Sequence, residues 1–321
     1  MSLFDIEKLP ATSAEAIRIF DERYLAALSA APPGSWARDF GDAMDVDSPK
    51  VTFPISLLST KYLETVGDSR FKGMDEVSFD VKTKEFDTGY EAFLLDLQKN
   101  IYAYKKWAQV PSRFVLAEGR HITKSIAALL EDGENQDCWD GADFFDTAHN
   151  ANGKDAAQGQ YSNYQSSSAD PFDLTDLEAE VTAMRGVLDE NGDKLGVEPD
   201  TILLPTGQYQ KTFNKLALQN IVEDSNAGVT NPFFGKFKLI HVPEFTNDKD
   251  WYLVDSKLIK SQAMAPWTVL RYAVPGSLGL RTFDESSDFF KSTGKIKVSS
   301  HVWYGFSLVM PHAIRKIDGG S

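Results

Sequence analysis

The side chains able to do chemistry are few and scattered. The chain has five histidines, His121, His149, His241, His301 and His312, and a single cysteine, Cys138. No two histidines stand four residues apart, which excludes an HExxH zinc site. Asp146 and His149 could supply a carboxylate and an imidazole to a hydrolase or a metal site. No serine sits in a GxSxG elbow to act as nucleophile, however, and a turn residue at the edge of a polar loop accounts for His149 better. Asp189, Asn191, Asp193 and Asp200 fall at offsets 1, 3, 5 and 12 of a calcium loop. Its sixth position calls for glycine and is Lys194, and its last ligand is Asp rather than Glu. An ordinary turn at Asn191-Gly192 explains these residues better. Neither GxGxxG nor GxxxxGK[ST] occurs, so no nucleotide site is signalled. Cys138, next to Trp139, reads as a small buried hydrophobe. A lone cysteine excludes a disulfide framework within the chain and a zinc site built on cysteines. The residues therefore predict no catalytic group, no cofactor and no metal, and the protein is not expected to be an enzyme.

What these residues leave is a large body to be organised. The 321 residues are 42% hydrophobic, with 21 Phe and 6 Trp, enough apolar surface to offset the entropy of ordering. Apolar runs are short and interrupted, so no membrane span is predicted. Met1–Lys8 lacks the basic start and apolar stretch of a secretory leader, which predicts use in a cytoplasm. Lys and Arg number 33 against 47 Asp and Glu, a net charge of −14. The imbalance is local: residues 131–200 carry 18 acidic and 3 basic side chains, leaving the remainder close to neutral. The plain reading of such a run is a solvated acidic face. An acidic balance also argues against a surface that binds nucleic acid by neutralising phosphates.

Periodicity supplies the elements. Thr12 and Glu15 have capping-box spacing, and Ile17, Phe20, Tyr24 and Leu28 then share a helical face that ends at Ala31-Pro32-Pro33-Gly34. Residues 34–60 read as irregular, with an acidic cluster at Asp42, Asp45 and Asp47. Val77, Phe79 and Val81 alternate with polar neighbours as a strand with one wet face, continued by Lys84-Glu85-Phe86. Phe93, Leu97, Ile101 and Tyr104 form one helical stripe. Val115, Gly119, Ile122, Ile126 and Leu129 form a second, begun by Pro111 and ended by Gly133 as its left-handed cap. Together they predict a nearly continuous rod over about 92–132. Residues 150–170, rich in Gln, Ser and Tyr, predict a flexible polar loop. After it come a helix near 174–188, a buried strand at Thr201–Leu204, a helix through Tyr209, Phe213 and Leu216, and strands at Phe237–Val242 and Trp251–Val254, an α/β unit. Ile296, Val298, Val302, Tyr304, Phe306, Leu308 and Met310 alternate in the strongest strand signal of the chain.

That order of elements resembles the Hong Kong 97-type major capsid protein fold of tailed phages. The run Phe71-Lys72-Gly73-Met74-Asp75-Glu76-Val77 followed by Thr83-Lys84-Glu85-Phe86 is similar to the extended loop of the Mu-like major head subunit family. Asp140-Gly141-Ala142-Asp143-Phe144-Phe145-Asp146-Thr147-Ala148-His149 resembles that family's short motif after the rod helix. Asp200–Pro205, Gly235–Ile240 and Trp251–Asp255 are similar to its central strands. The family's turn after the histidine usually contains proline, whereas here Asn150-Ala151-Asn152-Gly153 opens a polar loop.

The resemblance implies an α+β chain. Its parts would be an N-terminal arm (1–59), an extended β loop (60–90), a peripheral domain with a long spine helix (91–135), a central axial α/β domain (136–280) holding the flexible loop 150–170, and peripheral return strands (281–321). It implies a major capsid protein of a phage or prophage that self-assembles, through pentamers and hexamers, into an icosahedral shell around double-stranded DNA. Implied partners are further copies of itself, scaffolding, portal and decoration proteins, and DNA contacted non-specifically, with no membrane. Its places would be the host cytoplasm during assembly and then the virion capsid. The apolar face of Val77, Phe79 and Val81, with Phe86, has little to bury against in its own subunit and is expected to contact a neighbour. The competing functions are an encapsulin-like compartment shell and, less favoured, a soluble α/β hydrolase using Asp146 and His149.

Overall fold

The structure is a computed structural model. It describes the backbone of residues 9–29, 36–56, 76–154, 156–166, 172, 174–217, 220–221, 229–262, 264–272 and 279–319 and, within these, the side chains of all but 28–29, 53–56, 76–79, 220–221, 229–230 and 262. In chain order the elements begin with α1 (Ser13–Ser29), α2 (Trp36–Asp39), β1 (Asp42–Val46), β2 (Lys50–Ser56), β3 (Glu76–Lys82) and β4 (Lys84–Phe93). Helices α3 (Leu94–Lys99), α4 (Ile101–Trp107) and α5 (Val110–Glu131) follow, then the short strands β5 (His149–Asn150), β6 (Gln160–Tyr161) and β7 (Tyr164–Gln165). Next come α6 (Leu174–Met184), β8 (Thr201–Leu204), α7 (Thr206–Ala217), β9 (Asn220–Ile221), β10 (Val229–Thr230), β11 (Lys238–His241), β12 (Trp251–Val254) and α8 (Ser256–Gln262). The chain closes with β13 (Trp267–Tyr272), β14 (Leu280–Phe283), α9 (Asp288–Thr293), β15 (Lys295–Leu308) and β16 (Ile314–Ile317).

Two five-stranded sheets organise the molecule. The first is built on β15. Its 14 residues pair antiparallel with β4 along one edge and with β14 and then β13 along the other, while β1 adds to β13 in parallel. The alternation read from the sequence is the one observed, with Ile296, Val298, Tyr304 and Leu308 buried. The second sheet has the order β11-β8-β12-β16-β7. Its middle strands, Thr201–Leu204, Trp251–Val254 and Ile314–Ile317, are buried at every position, because helices and loops cover both faces.

The helices lie on these sheets by one face each. Thr12 Oγ1 accepts from the Glu15 N–H at 3.2 Å, and the Glu15 carboxylate accepts from Ala11 N–H at 2.9 Å, so the first turn of α1 is held from both sides. Ala16, Phe20 and Tyr24 then pack with Trp107, Phe114, Ile296 and Val298 in a satellite core. The segment expected to be an arm is thus docked along α5 through α1, and residues 42–46 and 50–56, expected to be irregular, are strands.

The predicted rod is broken twice. Asn100 is extended, and its side-chain oxygen accepts from the N–H groups of Tyr102 and Ala103, which starts α4 afresh. The stripe therefore does not run through: Leu97 and Tyr104 are buried, while Phe93 and Ile101 are exposed. Helix α5 begins with Pro111 in its first turn, as expected. Gly133 does not act as a left-handed cap. Asp132 is the C-cap, and glycine at 133 is required because a Cβ there would meet the Phe145 ring at 2.5 Å.

The polar stretch 150–170 is packed rather than free over its described part. Tyr161 and Asn163 are buried, β5 pairs with β6, and β7 joins the second sheet beside β16. Asn163 explains why a polar sequence can do this: its amide donates to Phe144 O at 2.8 Å and its oxygen accepts from Asp146 N–H at 3.0 Å. Strand β16 also departs from expectation. It belongs to the second sheet, so the C-terminal stretch 281–321 is shared between the two sheets rather than returned to one. Likewise β13, within the expected axial range, pairs in the first sheet.

Candidate functional site

The groups that could have made an active site are separated or enclosed. Asp146 does not meet His149; its carboxylate accepts from the N–H of Ala148, closing a local turn. His149 is fully buried and pairs instead with Asp140, Nδ1 to Oδ2 at 2.8 Å, so its ring cannot reach a substrate. The calcium-like positions form a turn: Asp189 Oδ1 accepts from the N–H groups of Asn191 and Asp193, both at 2.9 Å. Asp200 faces elsewhere and accepts from the Ser256 hydroxyl at 2.6 Å. Ser299, His301 and Glu85 line up in the order of a hydrolytic triad, Oγ to Nε2 at 2.9 Å and Nδ1 to carboxylate at 3.0 Å. Arg281 also reaches Glu85, at 3.4 Å, so this chain of contacts ties β15 to β4 and β14. A groove of about 210 Å³, lined in part by Lys82, Lys84, Phe86, Leu129 and Phe306, holds none of these three residues.

Structure instead points to surfaces. Strands β2 and β3 form a two-stranded hairpin, paired from Lys50↔Lys82 to Ser56↔Glu76, that joins neither sheet. At its root Thr83 N–H donates to Pro49 O at 2.8 Å, and Lys50 bonds Asp80 at 2.7 Å. Residues 57–75 and the side chains of Val77 and Phe79, two of the expected contact residues, lie outside the described residues. The other two pack within their own chain. Val81 is 4% exposed within its own chain, over Gly305, where a Cβ would come within 3.1 Å of it. Phe86 is half-buried against His121, with ring centroids 4.1 Å apart. The apolar face of β3 is therefore covered at the root by β15, a strand more than 200 residues later, which spacing along the chain does not reveal.

Exposed apolar groups occur at the end of β4 and on α3, α4 and α5. Tyr102 is 73% exposed, and Phe93, Leu95 and Leu116 are about half exposed. Single exposed apolar residues are ordinary, but several on neighbouring short helices mark a contact surface. The acidic run, in contrast, is partly spent inside the fold. Glu180 bonds Arg315, Glu134 bonds Lys316, Asp140 bonds His149, and Glu131 caps the backbone at Thr246 and Asn247. Two of its 18 carboxylates thus meet cations of β16. No described helix is long and apolar enough to cross a membrane.

Comparisons with known proteins agree with this picture. Residues 43–180 match the model of the Mu-like prophage major head subunit gpT family. No curated protein matches the chain. Among solved structures, a chain of the procapsid of bacteriophage JBD30 superposes with a TM-score of 0.56 at 13% identity, covering 96% of this chain and 75% of that one. The JBD30 capsid gives 0.54 at 16% identity over 67% and 92% of the two chains. Mycobacterium phage Patience gives 0.51 at 12% identity over 99% and 92%. Residues 43–180, from β1 into α6, are thus similar to the Mu-like phage major head subunits, and the chain has the Hong Kong 97-type phage capsid fold.

Proposed function

We infer that the protein is the major capsid protein of a tailed phage or prophage, and that its work is self-assembly rather than catalysis. The observation that carries this is the family match over residues 43–180, which spans the hairpin, the spine helix and the motif ending at His149. The fold supports it. A hairpin outside both sheets and a cluster of exposed aromatic and aliphatic side chains are costly on an isolated subunit and useful on a tile. Copies gather as pentamers and hexamers into a closed icosahedral shell around double-stranded DNA. Scaffolding, portal and decoration proteins are its further partners, and assembly takes place in the host cytoplasm before the shell becomes part of the virion. DNA is contacted without sequence preference, and a net charge of −14 keeps the lining from gripping the genome. In this reading Val77 and Phe79 lie against an adjacent subunit.

Negative-stain microscopy of the purified protein tests the reading. Uniform closed particles are expected. The double substitution Val77→Asp, Phe79→Asp should leave a soluble subunit that no longer closes. A stable wild-type monomer at high concentration would overturn the shell function, and normal particles from the double variant would overturn the hairpin contact alone.

A further inference from the structure

Cys138, Asp140 and His149 bring one sulfur, one oxygen and one nitrogen within 4.8 Å of one another in the interior. The side chains of Asp140 and His149 are 1% and 0% exposed, and Cys138 is 7% exposed. Two backbone devices hold them there. Residues 138–142 form a tight turn, with Cys138 N–H donating to Ala142 O at 2.8 Å and Gly141 in the left-handed region at φ 79°. Ala142 N–H donates to Asp140 Oδ1 at 3.2 Å, which leaves Oδ2 aimed at the histidine. His149 arrives from β5, pinned by the pairing of that strand with β6.

Hydrogen-bond accounting around His149 gives a second, independent observation. Its Nε2 faces two acceptors, Phe144 O at 3.2 Å and Asn163 Oδ1 at 3.1 Å. The Asn163 amide cannot be reversed without loss, because its nitrogen donates to Phe144 O and its oxygen accepts from Asp146 N–H. Nε2 must therefore carry the hydrogen. In a neutral imidazole this leaves Nδ1 as a bare lone pair, 2.8 Å from a carboxylate that also only accepts. Either a second imidazole proton or a bound cation belongs between the two atoms, and the cysteine sulfur lies within 4.8 Å of both.

We propose that Cys138 Sγ, Asp140 Oδ2 and His149 Nδ1 form a structural site for a divalent transition-metal ion of the zinc type. Thiolate, imidazole and carboxylate together suit a borderline-soft ion and not calcium or magnesium, which take oxygen ligands. The Nε2–H donated to Phe144 O and the Ala142 N–H on the carboxylate are the outer contacts that orient such ligands. A water completes the coordination. His312, 3% exposed, stacks on Trp139 and lies 5.0 Å from the Tyr161 ring that stacks on His149. Its Nδ1 has no partner among the described residues. Coordination displaces the thiol proton, so the ion with one thiolate and one carboxylate is neutral overall. The site staples the turn after α5 to β5, the place where the chain passes from the first sheet to the second. Reading along the sequence misses it because the donors stand at 138, 140 and 149, a spacing of no standard motif.

The test is metal analysis of the full-length chain, purified without chelator, and again after unfolding with chelator and refolding with zinc or cobalt. About one zinc per chain is expected, with a thiolate-to-metal charge-transfer band in the cobalt form. Cys138→Ser should abolish the band and lower zinc retention at least about tenfold, and His149→Gln should do the same. Circular dichroism checks that each variant folds; if neither does, the cobalt band of the wild-type chain decides. Metal below about a tenth of an ion per chain after refolding, or full metal content in folded Cys138→Ser, overturns the site and leaves a buried imidazolium–carboxylate pair.

Discussion

Removing the carboxylate of Glu180 should cost more than any surface change of equal size. Arg315 lies in the middle of β16, its side chain 4% exposed. Its Nε donates to Glu180 on α6, and its Nη1 donates to Ser162 O at 2.8 Å. Three separate segments thus converge on one guanidinium. Glu180→Ala leaves that charge without its counterion in a dry site, and breaking a buried pair in this way costs about 3–5 kcal/mol. Glu180→Gln keeps an acceptor for Nε but loses the charge assistance, about 1–2 kcal/mol. The joint substitution Glu180→Leu, Arg315→Met discards both charges and strands only the Ser162 carbonyl. It should cost less than Glu180→Ala alone, by about 2 kcal/mol or more. Urea unfolding of unassembled subunits, followed by tryptophan fluorescence, measures all four proteins, with unchanged slope as the check on a common unfolded state. If Glu180→Ala lowers stability by less than about 1 kcal/mol, the guanidinium finds water on relaxation and the argument from burial is wrong.

Other consequences are as open to measurement. Burial holds His312 neutral by lowering its pKa from 6.5 to about 4. The unfolded chain therefore binds the extra proton first, and stability present above pH 6.5 falls as pH drops toward 4, by up to about 3 kcal/mol; His312→Phe should keep the stacking and flatten that part of the urea-midpoint profile. Gly133→Ala places a methyl 2.5 Å from the Phe145 ring, and calorimetry should show a loss of about 1–3 kcal/mol. Asn163→Ala strips the bonds to Phe144 O and Asp146 N–H, and limited proteolysis should then cut at 150–166 faster than in the wild-type chain. Light scattering should show assembly rising with salt from low ionic strength, since acidic segments repel until screened over about 8–10 Å; a steady fall would mean that attractive pairs dominate the contacts.

Legibility in the sequence tracked how local each signal was. The alternation from Ile296 to Leu308 and the runs Thr201–Leu204 and Trp251–Val254 were readable because each strand meets one kind of environment along its length. Strand β2 was not, because its partner lies across residues 57–75 and its sequence includes Pro54. Strand β16 was hidden by Arg315 and Lys316, charges that look exposed until Glu180 and Glu134 are found beside them. Residues 150–166 misled for a related reason. Their polar groups are satisfied by backbone from distant turns, and composition cannot show who the partners are. The same limit applied to His149. Asp146 is nearer in sequence, but the turn at Gly141 brings Asp140 to it.

The position of β16 sets an order of events during synthesis. It fills the gap between β12 and β7, matched residue for residue from Trp251↔Ile317 to Val254↔Ile314, yet it is made after every other strand of its sheet. A nascent chain halted before residue 314 holds Trp251–Val254 as an open, wholly apolar edge, and Glu180 and Glu134 without their cations. Such a fragment cannot mature into a tile, however complete its hairpin and spine helix. Proofreading of length is thereby built into folding itself, and a lattice that repeats one polypeptide many times is protected from incorporating unfinished copies.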